Sequence, residues 1–286
     1  MAGDNAETHA APGSASSVAH ELEAEVARVK DAEATASERL KLIRLKRRFL
    51  ERLRDLQHSD PPGAVWLFLR DSERTLRRIR EGGGSIPPFL EMLRGELREL
   101  LEAELAQWPK RFVAELSVHD IEPDRGSRHP RYSFAEGLIT VELDDRNLVA
   151  KLTTRHGAST TVPLDARTIS SQVAEQQQRL AARPFDAGSF LRALYDAYEE
   201  IRVENKAAPG EDQRLPEVLK RLQRSQDAQL DELLVDLGRL LRGDTPQIEG
   251  RRLRIGHTRR DKDGVLVPGL EDGGYLGFIA FPTGGG

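Results

Sequence analysis

Residues 21–50 read ELEAEVARVKDAEATASERLKLIRLKRRFL, and the spacing of their apolar side chains decides the fold. Leu22, Val26 and Val29 are four and three residues apart, and Ala36, Leu40 and Ile43 repeat that spacing in the same register. This is a heptad seam, and a stripe so narrow needs another helix to cover it. One seam position holds a charge, Glu33, with Ala32 beside it. The register then moves to Leu42, Leu45, Phe49, Leu53 and Leu56, as a stutter would produce. The pattern predicts a coiled-coil helix over residues 19–60, pairing with a protein partner or a second copy. Leu22, Val26, Val29, Leu40 and Ile43 are its oligomerisation residues. The competing reading folds the same helix against its own domain.

Toward the amino end, residues 1–18 carry few large apolar side chains and predict a disordered tail. Residues 1–20 also lack the apolar core of a signal peptide. No apolar run nears the roughly 18 residues of a membrane helix. The expectation is therefore a cytoplasmic chain with no membrane contact.

Toward the carboxyl end, Pro61-Pro62-Gly63 stops the long helix. A second helix carries Trp66, Leu69, Leu76 and Ile79 and ends at Gly82-Gly83-Gly84. A third begins after Ser85 and runs through Leu90, Leu97 and Leu101 to Trp108, closed by Pro109. Phe112, Ala114, Leu116 and Val118 then alternate with more polar residues and predict a half-buried strand. Ile139, Val141 and Leu143 form another. Turns at residues 144–147 and 155–157 lead to two more, and a helix from about Asp165 to Arg183 covers the sheet. Beyond Pro184, Asp186 caps a helix bearing Phe190, Leu194, Tyr198 and Ile201. A second opens at Pro216, a third carries Leu233, Leu234, Leu237 and Leu241, and two β segments follow at residues 251–258 and 265–281.

The expected fold class is thus α+β. It comprises a long coiled-coil helix, a helical plus antiparallel-sheet domain over residues 61–183, and a three-helix plus β-hairpin domain over residues 184–282. The last has the element order of a winged helix. Residues 283–286 are expected to be a flexible tail. A length of 286 residues suits about two domains.

Chemistry is sparse. The chain has no cysteine, which excludes disulfides, thiolate nucleophiles, zinc ribbons and iron–sulfur clusters. The seven histidines (9, 20, 58, 119, 129, 156, 257) show no HxxxH or HxH spacing, so no metal or cofactor is expected. Asp144 and Asp145, and the group His119, Asp120, Glu122 and Asp124, fit turn-capping roles better than a two-metal centre. Gly82 to Gly84 lack the lysine and hydroxyl of a phosphate loop, and there is no G-x-S-x-G elbow.

A net charge of −4 gives no global pull toward nucleic acid, so such a role needs a local patch. Two exist. Residues 37–57 hold eight Lys/Arg, including Arg44, Arg47 and Arg48, against three acids. The presumed wing holds Arg252, Arg254, Arg259, Arg260 and Lys262, with Leu253 and Ile255 expected to point inward. The helix that would enter a major groove carries Asp227, Asp231, Glu232 and Asp236, which phosphates would repel. The leading expectation is a non-enzymatic coiled-coil adaptor or structural subunit of a bacterial multiprotein complex, associated with DNA processing or defence. The bacterial assignment rests on the heavy use of Arg, Ala and Leu. A dimeric DNA-binding regulator using the basic wing is the alternative, and a metal-dependent nuclease using Asp144 and Asp145 is the second.

Overall fold

A computed structural model describes residues 13–243, 246–270 and 274–283 of the chain. The chain divides into two compact units, one of Met1–Asp60 with Phe68–Gly95, the other of Pro61–Leu67 with Glu96–Gly286.

The first unit is dominated by α1, Gly13–Ser59, a helix of 47 residues, or about 70 Å at 1.5 Å per residue. It contains no proline or glycine after its first residue, and strong helix formers fill it. The tail expected over residues 1–18 is helical from Gly13 onward, and residues 1–12 lie outside the described residues. The register change at Leu42 proves to be a change of face. Leu42, Leu45, Phe49, Leu53 and Leu56 turn toward α3, Glu73–Glu81, and Phe49, Leu53 and Leu56 are buried. The Phe49 ring stacks on Phe68 at 5.4 Å. At about 100° per residue, the earlier stripe lies on the far side of the helix from this one.

The helix expected to run from Trp66 to Ile79 is two: α2, Pro62–Asp71, and α3, interrupted at Ser72. Gly83 sits at φ 77, and the Gly84 N–H returns to the Ile79 carbonyl at 2.9 Å, so the glycines end α3 as a left-handed cap. Next comes α4, Phe89–Leu105.

In the second unit, the strand expected over Phe112–Val118 is instead a helix, α5, Trp108–Ser117. Trp108, Phe112 and Leu116 are spaced by four and fully buried, whereas Val113 and Val118 are exposed. Pro109 does not close the preceding helix. It occupies the first turn of α5, where its missing N–H costs nothing.

The sheet is a four-stranded antiparallel meander, β1 (Arg131–Phe134), β2 (Ile139–Asp144), β3 (Val149–Thr154) and β4 (Ser159–Pro163), in chain order. Its first strand, β1, is absent from the sequence reading. Tyr132 pairs with Val141 and Leu152 with Val141 from the other side, so buried residues align across the strands. Against them pack α5 and α6 (Ala166–Ala181), the latter capped by Asp165, whose carboxylate accepts from Thr168 N at 2.7 Å. Phe112 meets Tyr132 and Phe134 edge-on at 5.1 and 6.2 Å.

The rest of the unit holds α7 (Ala187–Glu204), α8 (Leu215–Gln226) and α9 (Leu230–Arg242) around one apolar core. Asp186 caps α7 as expected, accepting from Ser189 N at 2.8 Å. The β segments are more finely divided than a single hairpin. β5 (Gln213–Arg214) lies between α7 and α8; β6 (Gln247–Ile248) pairs with β7 (Arg251–Arg252). β8 (Arg254–Thr258), β9 (Val265–Leu266) and β10 (Tyr275–Ala280) complete the set. The strand order is β5-β10-β8, with β9 also on β10. The tail expected at residues 283–286 lies outside the described residues beyond Thr283.

Candidate functional site

Two surfaces answer to the residues singled out by sequence, and a third feature was not foreseen. The first surface is the heptad stripe of α1. Every side chain from His20 through Lys41 is exposed. Leu22 is 61%, Val26 52%, Val29 58%, Leu40 47% and Ile43 63% accessible. Among the described residues of its own unit, none covers the stripe at these positions.

The basic stretch continues on the same helix. Arg47 pairs with Glu51 at 2.8 Å and Arg54 with Asp55 at 2.9 Å, while Arg44 and Arg48 project into solvent. Arg39, Arg44 and Arg48 rim a groove of about 890 Å³ with Arg78 of α3, over Leu42 and Leu45.

The second surface is the run of β7, β8 and the turn after β8. Leu253 is buried and Arg252 and Arg254 are exposed, as strand alternation required; Arg259, Arg260 and Lys262 are exposed as well. These cations are partly committed within the fold. Arg254 pairs with Asp212 at 2.8 Å, and Arg260 approaches Asp263 at 4.0 Å, which also takes Arg214 at 3.2 Å. Arg251 turns inward, its guanidinium 5.9 Å over the Tyr195 ring.

The third feature is α9. Its acids do not face outward, as the charge argument against groove binding had supposed. Asp231 and Asp236 are buried, and they hold α9 onto the meander and α6. Asp231 accepts from His156 Nδ1 at 2.7 Å and from His156 N at 3.2 Å. Glu232 takes Arg183 at 2.8 Å, and Asp236 lies 3.6 Å from Arg183 and 3.3 Å from Arg239. Arg239 also donates to the carbonyls of Ala181 and, at 3.1 Å, Arg183, closing the end of α6. Burial pushes the Asp236 carboxyl above its ordinary value, against the pull of Arg183 and Arg239. The opposite face of α9, through Leu233, Leu234, Leu237 and Leu240, fills the core of the three-helix bundle. Both faces are thus occupied. His156 and Asp231 are 75 residues apart, and no spacing in the sequence joins them. The available signal was the placement of two acids among the leucines of an amphipathic helix.

The acidic groups are turn structures. Asp144 accepts from Asn147 Nδ2 at 2.8 Å and Asn147 N at 3.1 Å, and the Asn147 side chain holds its carboxyl below the ordinary value. Asp145 takes His129 at 2.9 Å instead of joining Asp144. Asp124 accepts from Glu136 N and Gly137 N at 3.0 and 2.6 Å. Among the described residues, no three His, Asp or Glu side chains converge as a metal would require, and no helix is long and apolar enough to cross a membrane. Compared with known proteins, the chain matches no family model, no curated protein and no solved structure.

Proposed function

We propose that this chain is a non-enzymatic assembly subunit, in which α1 joins chains through its uncovered ridge and the second unit is a rigid docking body. The observation that supports this is the exposure of five large apolar residues at heptad spacing on one face of α1. Removing such surface from water contributes about 25 cal/mol per Å², and a lone chain leaves that contribution unused. An amphipathic helix with no tertiary support is also marginal by itself. We read residues 184–282 as winged-helix-like. The order α7, β5, α8, α9, β8, β10 and the strand order β5-β10-β8 support that reading. Because α9 takes the place of the reading helix and both its faces are already occupied, docking to protein suits the unit better than entry into a groove. A place in a cytoplasmic bacterial complex acting on DNA, with no cofactor, fits this role.

Contact with DNA through the wing is the second reading, favoured by the exposure of Arg252, Arg254, Arg259 and Arg260 close together in sequence on β7, β8 and the turn after β8. It predicts retention on duplex DNA that falls steeply with salt and disappears on reversing those four charges. Retention unchanged by the reversal would remove the wing as the contact.

The assembly role is tested with the full chain and its Val29→Lys, Leu40→Lys double variant, compared by light scattering. The expectation is a multiple of the chain mass for the native protein and one chain mass for the variant, with near-ultraviolet circular dichroism unchanged. Equal masses for the two would refute it.

A further inference from the structure

The exposed ridge of α1 lies on a helix whose charge is divided end from end. Between Glu21 and Glu38 there are six acids against Arg28 and Lys30, a balance of −4. Between Arg39 and Arg54 there are eight Lys/Arg against Glu51, a balance of +7. The apolar ridge spans both halves, from Leu22 to Ile43, on the side of the helix away from α3.

We infer that α1 pairs with α1 of a second copy, antiparallel, about a two-fold axis at the level of Ala34 and Thr35. This rests on the reading that α1 assembles the chain, and it specifies the partner and its direction. A parallel, in-register pair would set the two basic halves side by side and the two acidic halves likewise, which like-charge repulsion opposes. The antiparallel pair lays each acidic half on a basic one. At this axis Val26 faces Ile43 of the second copy and Val29 faces its Leu40. On the flanks of the seam, Glu23 meets Arg44 of the second copy and Glu25 meets its Lys46. The charge in the seam also finds a place. Glu33 faces Ala36 of the second copy, and the small side chain leaves a path for the carboxylate to reach water.

Within one chain Glu25 holds Arg28 at 3.0 Å, and Lys46 reaches Ser85 at 3.3 Å. Exposed contacts of this kind contribute little and are readily exchanged. Opposite-charge pairs on the seam's flanks fix orientation more than strength, and salt screens them, so the pair loosens as salt rises.

The absence of cysteine makes the direction measurable with single introduced thiols. The full chain is prepared as Val26→Cys and as Ile43→Cys, and each is oxidised alone and after mixing. The expected result is a covalent dimer in the mixture and none in either variant alone, since a disulfide requires Cα atoms within about 7 Å. Self-linking of each variant alone would mean a parallel pair, which overturns the inference while leaving assembly through α1 intact. A monomer by light scattering with no linking in any sample would overturn both. Salt-sensitive retention of that monomer on duplex DNA would assign the basic half to phosphate instead.

Discussion

Asp231 carries more of the second unit than its place in a leucine-rich helix suggests. It is 1% exposed and satisfies both the backbone N–H and the ring N–H of His156. Replacing it with alanine removes both bonds to His156, which is itself exposed, so Asp231→Ala should destabilise the unit by about 1 kcal/mol, the ordinary net worth of such a bond, in urea unfolding. A loss below a few tenths would show that water replaces the carboxylate. Glycines give a sharper contrast. A Cβ on Gly238 of α9 would lie 2.3 Å from the Pro268 carbonyl oxygen, whereas one on exposed Gly95 of α4 meets nothing within 4 Å. Glycine to alanine in a helix ordinarily stabilises by up to about 1 kcal/mol. Gly95→Ala should follow that rule, and Gly238→Ala should reverse it, because overpacking against backbone costs about 1–3 kcal/mol. Thermal unfolding of the two variants reads the difference. Gly238 was not legible as special in the sequence, and Asp231 only as an acid among the leucines of its helix. Each depends on a partner brought in by long-range packing, His156 for one and Pro268 for the other.

At the scale of elements, local signals worked where one side chain answers its own backbone. Asp165 and Asp186 sit where their helices begin and accept from Thr168 N and Ser189 N, Asp186 being the cap expected from the sequence. Asp165→Ala should cost about 1 kcal/mol, the ordinary worth of an N-cap. The Asp186 carboxyl is held below its ordinary value of 3.8 by its bonds to Ser189. Its folded value lies under its unfolded one, so its contribution is complete above the unfolded value and is lost as pH falls through the folded value. Asp186→Asn should therefore flatten the acid side of the stability profile, and identical slopes for both proteins between pH 5 and pH 2 would contradict this assignment. Where sequence reading failed, the period was misjudged. Over Phe112–Val118 the alternation leaned on Ala114 and Val118, both exposed, while the spacing Trp108, Phe112, Leu116 marks the face that is buried. The strand Arg131–Phe134 was missed because only Tyr132 and Phe134 mark it, and two residues carry little periodicity. The register change in α1 was legible as a fault. That it moves the apolar stripe to another face became visible only once α3 was placed.

For the molecule as a whole, the long helix and the α+β class were legible, because heptads and the meander repeat one short rule many times. The covering of α9 was not, since it joins residues from the middle and the end of the chain. One face of α1 packs within its own unit, and the other carries five large apolar residues that stay exposed among the described residues of that unit. Sedimentation equilibrium of the full chain at low salt, across a wide range of concentration, tests this most directly. The expected result is a mass of twice 31.9 kDa that dissociates on dilution and with added salt. A single species of 31.9 kDa at every concentration would contradict it.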